Sequence, residues 1–411
     1  MKIPRYSVLL TALVATSAAH AQTAMTIAKL QASTACSDPV FITDTGKEGM
    51  FVKSTDASLK LNGGTTLACN AGSASPTLYR RIYDSTINAK WFGLVEGESA
   101  QNNAEAVQSA INWAKNGQEV LIPEGSYFFR NSITLRDDTY IRLTARGELS
   151  FGARDGIIVR GRYGHVVDLT RLHGTPWQEH PTYGYTGSGI TLINAQFATV
   201  KVNWVDGFQN AIKLTAQGLN GTQYNKISFE GLKNNDVGIL LTTENDGYKN
   251  WIAENTFTGG KITGLTGLSA VPAPLQEGFS ANKFYNVGFE GLTTAVNVDS
   301  FQNNIFVAPR FFTKEAGPNG FKFSPNSWEN VFVTAGLEEN AFTSNGIPAN
   351  AGKRTLVLGR LLTNGGVTSG VLNISDNDGR FLGLIREPNS NVDKDTKSLL
   401  VPLSPLSKGP Q

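Results

Sequence analysis

Lys261, Glu290, Arg310 and Glu338 fall at matched places in segments that each open with asparagine. Those residue types suit the holding and cleavage of an acidic sugar chain. A lysine or arginine can bind a uronate carboxylate and help acidify the neighbouring carbon proton, as a polysaccharide lyase requires. Two glutamates can supply the acid and the base that hydrolyse a glycosidic bond. Lys233 and Phe312 share the column of Glu290 and Glu338, which makes them candidate substrate contacts. The plain alternative is that these charges form cross-strand ion pairs worth roughly 0.2–1 kcal/mol and do nothing further.

A second concentration of reactive side chains runs from Gly161 to Gly189. It holds His165, His173 and His180 with Asp168, Arg171, Trp177, Glu179, Tyr183 and Tyr185. The polar and aromatic density, with Pro176 and Pro181, reads as a loop leaving the main scaffold. His173, Trp177, His180 and Tyr185 are its candidate substrate contacts, because aromatic faces stack on sugars and histidine or tyrosine can move protons. His165 ending a strand and Trp177 pinning the loop are the plain alternatives. His173 and His180 lack a recognised metal spacing, and no cofactor is implied. Among general catalytic signatures, the nucleophile elbow, the zinc-protease helix and the phosphate-binding loop are all missing.

What must position these residues is a repeat. Five segments align without gaps, starting at Asn225, Asn255, Asn282, Asn304 and Asn330, with steps of 30, 27, 22 and 26 residues. The third position is Ile227, Phe257, Phe284, Phe306 and Phe332; the eighth is Leu232, Ile262, Phe289, Phe311 and Leu337. Fixed apolar columns at such a period mark a solenoid, in which each coil buries its apolar residues only against its neighbours. Coils stack ~4.8 Å apart, so like residues lie above one another and the asparagines can form an amide ladder. The seventh position then lines up Gly231, Lys261, Gly288, Arg310 and Gly336 on the outer surface, and the ninth Lys233, Thr263, Glu290, Phe312 and Glu338. Lys261 and Arg310 stand two coils, or ~10 Å, apart across a glycine, as do Glu290 and Glu338 across Phe312.

Upstream, Ala104, Val107, Ala110, Ile111 and Ala114 share one face of a helix that follows Asn102 or Asn103 and ends at Asn116-Gly117. A strand, Glu119–Ile122, then meets Pro123-Glu124-Gly125-Ser126-Tyr127. This order, with Trp91-Phe92-Gly93 before it, resembles the opening of pectate-lyase-like domains and of tailspike-like proteins. The resemblance covers about residues 86–340. It implies a right-handed parallel β-helix with an N-terminal capping helix, action on a polysaccharide in a groove along the solenoid, and a homotrimer. The paired aspartates common before that helix are replaced by Glu96-Gly97-Glu98, and no catalytic residue carries over.

Residues 22–86 read as a small β module with strands at Val40–Ile42, Gly49–Val52, Leu59–Leu61 and Leu78–Tyr83. Cys36 and Cys69 both lie there, and in an oxidising compartment they are expected to pair. Residues 341–386 hold two apolar strands forming a cap, and the polar tail 387–411 reads as disordered. Lys2, Arg5, the apolar run Ser7–Ala19 and Ala19-His20-Ala21 form a secretory signal with cleavage after Ala21, which implies a secreted or periplasmic protein. The chain carries 36 basic and 34 acidic residues; removing residues 1–21 takes away Lys2 and Arg5 and leaves 34 of each. A neutral chain lacks the charge that drives nucleic-acid binding, and no further run is long enough to span a membrane. The leading expectation is a secreted polysaccharide lyase or glycoside hydrolase. The alternative is a non-catalytic carbohydrate-binding or exopolysaccharide-associated surface protein.

Overall fold

The computed structural model describes residues 23–97, 102–175, 184–272, 278–311, 321–324, 326–338, 356–363 and 366–373. Trp177, His180, Phe312, the signal segment 1–21 and the tail from Glu387 lie outside the described residues. The chain divides into two units, residues 1–82 and 83–411.

The first unit is a small sheet with strands Thr23–Met25, Val40–Ile42, Gly49–Lys53, Thr77–Arg81 and Thr66–Cys69 in that spatial order. A short helix, Ile27–Ala32, buries Leu30 beside Val40, Ile42, Phe51, Leu67 and Tyr79. Cys36 and Cys69 are joined by a disulfide. Arg81 is buried with its guanidinium donating to the carbonyls of Gly64, Glu48 and Lys47 at 2.7–2.9 Å. Burial, opposed by the Glu48 charge, lowers its pKa to about 10. The strand expected at Leu59–Leu61 is absent. Asn62 Oδ1 accepts the amides of Gly64, Thr65 and Thr66, and this turn delays the strand to Thr66–Cys69.

The second unit is a parallel β-helix. Its first wall stacks Glu119–Ile122 on Arg142–Ala145, then Val166–Leu169, Thr199–Val202, Lys226–Phe229, Thr256–Thr258, Lys283–Tyr285, Ile305–Val307 and Val331–Val333. The coils bend at a corner into a second wall, which carries the candidate site, and then into a third. The third runs through Ile190–Ile193, Ile212–Thr215, Ile239–Thr242 and Leu268–Ala270 to Val296–Val298 and Phe321–Phe323. The helix Asn103–Trp113 adds Ala104, Val107, Ala110 and Ile111 to the core beneath the first coils. Strands Leu356–Thr363 and Gly366–Asn373 pair antiparallel, and the former continues the first wall.

The asparagine column forms as the repeat predicts. All five asparagines are fully buried. Nδ2 of Asn225 donates to Asn255 Oδ1 at 2.8 Å, and the pattern repeats to Asn282, Asn304 and Asn330 at 3.0–3.1 Å. Each acceptor oxygen also takes the backbone amide of the asparagine on the coil before it. Buried amides would otherwise cost about 1–3 kcal/mol each, so this column both holds and registers the coils. Phe257, Phe284, Phe306 and Phe332 stack beside it with centroids 4.6–4.8 Å apart.

The expectation that residues 161–189 leave the scaffold as one loop is corrected. Val166–His173 is a regular strand paired on both sides, with Arg142–Ser150 and Thr199–Asp206. Val167, Leu169 and Leu172 point into the core, so burial fixes this stretch as a coil despite its polar partners. The coil continues through Gly174 and Thr175, whose amides donate to the carbonyls of Asp206 and Gly207, and residues 176–183 lie outside the described residues.

Candidate functional site on the second wall

Two outward columns run along the second wall. One reads Glu148, Arg171, Trp204, Gly231, Lys261, Gly288, Arg310; the other reads Ser150, His173, Asp206, Lys233 and, farther on, Thr263 and Glu290. Glu148 reaches this face because the coil corner carries Arg146 and Gly147 against the single residue Thr170 of the next coil. Gly147 is required there, since a Cβ would stand 2.3 Å from the Gly125 carbonyl oxygen.

At the N-terminal half of this face four side chains meet. His173 Nδ1 donates to Asp206 Oδ1 at 2.8 Å, and its Nε2 faces Glu148 Oε2 at 3.7 Å. Arg171 approaches Glu148 Oε1 and Asp206 Oδ2, each at 3.5 Å. Two carboxylates from coils two apart, and two residues out of register, thus start ~12 Å apart at the backbone and converge on one imidazole and one guanidinium. His173 and Asp206 are largely covered, whereas Glu148 and Arg171 are about half exposed. Both Arg171 contacts sit at the long limit of hydrogen bonding, and its Nε is buried without an acceptor among the described residues.

On the next coil Trp204 lies against Gly231, with Lys233 Nζ 4.2 Å from the indole centroid. Farther along, Glu290 sits between the two expected cations. Its carboxylate pairs with Lys261 and stands 3.8 Å from Arg310 Nη2. Lys261 and Arg310 do flank Gly288 in register, but an internal carboxylate occupies the space between them. The triad carries two positive charges against one negative, with Arg310 the more exposed and more distant of the two cations. Glu338 lies in the strand Val331–Glu338. Tyr185 is 3 % exposed, buried beside Gly184, whose amide donates to Asp236.

His165 takes no part in this face. It is fully buried, its Nδ1 accepts the Ile141 amide at 3.1 Å and its Nε2 lies 3.0 Å from the Arg160 carbonyl. Burial lowers its pKa. Among the described residues no group of three or more histidines, cysteines and carboxylates could hold a metal ion. No described helix is long and apolar enough to cross a membrane.

Sequence reasoning placed His173 and Lys233 among the candidates and named Arg171 beside them, but it missed Glu148, Trp204 and Asp206. The signal was available in the alternation Trp204-Val205-Asp206, which puts the two polar-tipped residues on one side of a strand.

No protein-family profile and no curated protein matches the chain. Solved structures do. The full-length tailspike protein 2 of an Escherichia coli O157:H7 bacteriophage aligns with 84 % of this chain and 48 % of its own, at 14 % identity and a TM-score of 0.57. The enzymatically active domain of bacteriophage CBA120 tailspike protein 2 aligns with 82 % of this chain and 53 % of its own, at 14 % identity and a TM-score of 0.53. The chain spans about half the length of these tailspikes. With the stacked parallel walls and the asparagine ladder, this likeness establishes the fold: the chain is a tailspike-like parallel β-helix.

Proposed function

We propose that this protein cleaves a polysaccharide by acid–base hydrolysis on the second wall, with Glu148 and Asp206 as the carboxylate pair. The observation that carries the reading is their convergence on His173 and Arg171 from coils two apart. A pair of carboxylates is what inverting glycosidases use as acid and base, and here the two stand on either side of His173, 3.7 Å and 2.8 Å from its ring nitrogens. Asp206 fixes the ring of His173, and the half-exposed Arg171 presents its terminal nitrogens where a sugar oxygen could accept from them. The likeness to a phage tailspike domain described as enzymatically active supports catalysis over binding alone.

A second reading, β-elimination, is favoured by one contact. With Nδ1 donating to Asp206, His173 presents Nε2 as a candidate base, and Arg171 could hold a uronate carboxylate. A single assay separates the two. Incubation with a panel of acidic and neutral bacterial polysaccharides should release reducing ends without the absorbance of unsaturated uronates. Product carrying that absorbance would favour the lyase, and binding without product would favour the non-catalytic surface protein.

The same reading includes export through the signal at residues 1–21 and assembly as a homotrimer. Ile305, Val307, Val331 and Val333 present apolar side chains outward on successive coils of the first wall, with Val333 39 % exposed, which suits self-association. Sedimentation of the mature chain as a monomer would contradict the trimer.

A further inference from the structure

We infer that the glycan on this face is acidic, and that Lys233 and Trp204 form the subsite that reads one of its carboxylates. This rests on the reading of the second wall as a glycan-binding face. Trp204 precedes Asp206 by two residues on one strand, so both side chains leave the same side. Directly opposite Trp204 on the next coil stands Gly231. A Cβ at that glycine would sit 2.1 Å from Trp204 Cζ3, so the indole lies down over bare backbone. Lys233 follows two residues later and brings its ammonium to 4.2 Å from the ring centroid.

Beside the carboxylates proposed for cleavage, Lys233 is the cation left without an anion among the described residues. Its register partner is Asp206, but that carboxylate is already engaged by His173 and Arg171. Lys261 is paired closely with Glu290, whereas Arg310 stands 3.8 Å from that carboxylate and is largely exposed. Lys233 rests on a π face and has no recorded carboxylate partner among the described residues. An ammonium over an aromatic ring sheds part of its water and keeps its full charge. The strongest partner it can add is an anion, since a charge-assisted bond is about twice as strong as a neutral one. A pyranose uronate supplies both halves of the match: its carboxylate draws the Lys233 ammonium off the indole, and its ring takes the ammonium's place on that face. A neutral sugar would satisfy the indole and leave the cation without an anion. The subsite adjoins the Asp206 carboxylate, so the charged sugar sits beside the bond to be cut.

The test uses the full chain carrying Glu148→Gln, so that probes are not consumed. Tetrasaccharides of galacturonate and of glucuronate, and the carboxyl-reduced neutral form of each, are titrated by tryptophan fluorescence and calorimetry. The uronates should bind about tenfold or more tightly than their reduced forms, and the difference should shrink as salt is raised. Lys233→Met should collapse that discrimination. Trp204→Ala should weaken charged and neutral probes alike, and Gly231→Ala should do so by displacing the ring. Equal affinity for charged and reduced probes, no binding of any of the four, or discrimination that survives Lys233→Met would each overturn the subsite. The hydrolytic reading fails separately. Tight uronate binding with no product from the wild-type chain would sink hydrolysis and leave the subsite standing. Cleavage of a neutral glycan that ignores Lys233→Met would do the reverse.

Discussion

Asp206 and His173 are neighbours only because the coils stack: 33 residues apart in sequence, they meet through a 2.8 Å bond between facing positions of consecutive turns. The pair fixes the imidazole ring and directs its second nitrogen toward Glu148, one coil farther on. A side chain held this way depends on register as much as on residue type.

Removing the orienting carboxylate should therefore cost activity without cost to the fold. Asp206→Asn is expected to lower turnover by about 10²-fold or more, the usual worth of a positioned acid or base. Unchanged circular dichroism with lost release of reducing ends is the expected pairing, and full activity would remove Asp206 from the mechanism.

The asparagine ladder should be the mechanical weak point of the solenoid. Asn282→Ala deletes the acceptor for both the Asn255 backbone amide and the Asn255 side-chain amide. Two buried donors left unpaired predict a loss of about 3 kcal/mol, seen as a lower urea midpoint. A loss below about 0.5 kcal/mol would mean that water replaces the missing oxygen.

His165 occupies the rung that asparagine fills in later coils. Its Nδ1 accepts the Ile141 amide just as Asn225 Oδ1 accepts that of Ala198. Burial favours the neutral ring, so the folded pKa lies below the unfolded value of about 6.5. As pH falls the unfolded chain takes up the proton first. The stability contributed by His165 is then complete above about pH 6.5 and is lost as pH drops toward the folded pKa. His165→Asn should keep the acceptor and remove this dependence. Urea midpoints at pH 7.5 and 5.5 should differ less in the variant than in the parent; an equal or larger difference would assign the pH effect elsewhere.

The N-terminal unit should lean on its disulfide. The bridge closes a separation of 33 residues, for which chain-entropy reasoning predicts a contribution of about 4 kcal/mol. Cys36→Ser should lower the melting temperature of the isolated 23–82 fragment or prevent it from folding. Indistinguishable melting of the two forms would show that Leu30, Phe51, Tyr79 and their neighbours suffice.

The solenoid was legible wherever asparagine led the coil. From Asn225 onward the columns align in sequence, and the ladder and the phenylalanine stack lie where the alignment puts them. Earlier coils keep the geometry and change the residue: Ile141, His165 and Ala198 take the leading place, so the repeat vanishes from the sequence while persisting in space. That is why Glu148 and Asp206 could not be assigned to a shared face. The extra corner residue at Arg146-Gly147 shifts the phase once more, and no alternation of apolar residues reveals it. Farther on, the spacing placed Lys261, Glu290 and Arg310 correctly in register. Register alone does not show that Glu290 reaches toward both cations, because that choice belongs to side-chain rotamers and Coulombic attraction.

The most direct measurement is cleavage by the Glu148→Gln chain. This change keeps side-chain length and removes one of the two carboxylates that converge on His173. On whichever polysaccharide the wild-type chain degrades, Glu148→Gln should bind with similar affinity and release reducing ends at least about 10²-fold more slowly. Wild-type rates in a correctly folded Glu148→Gln chain would contradict the assignment of this face as the catalytic centre.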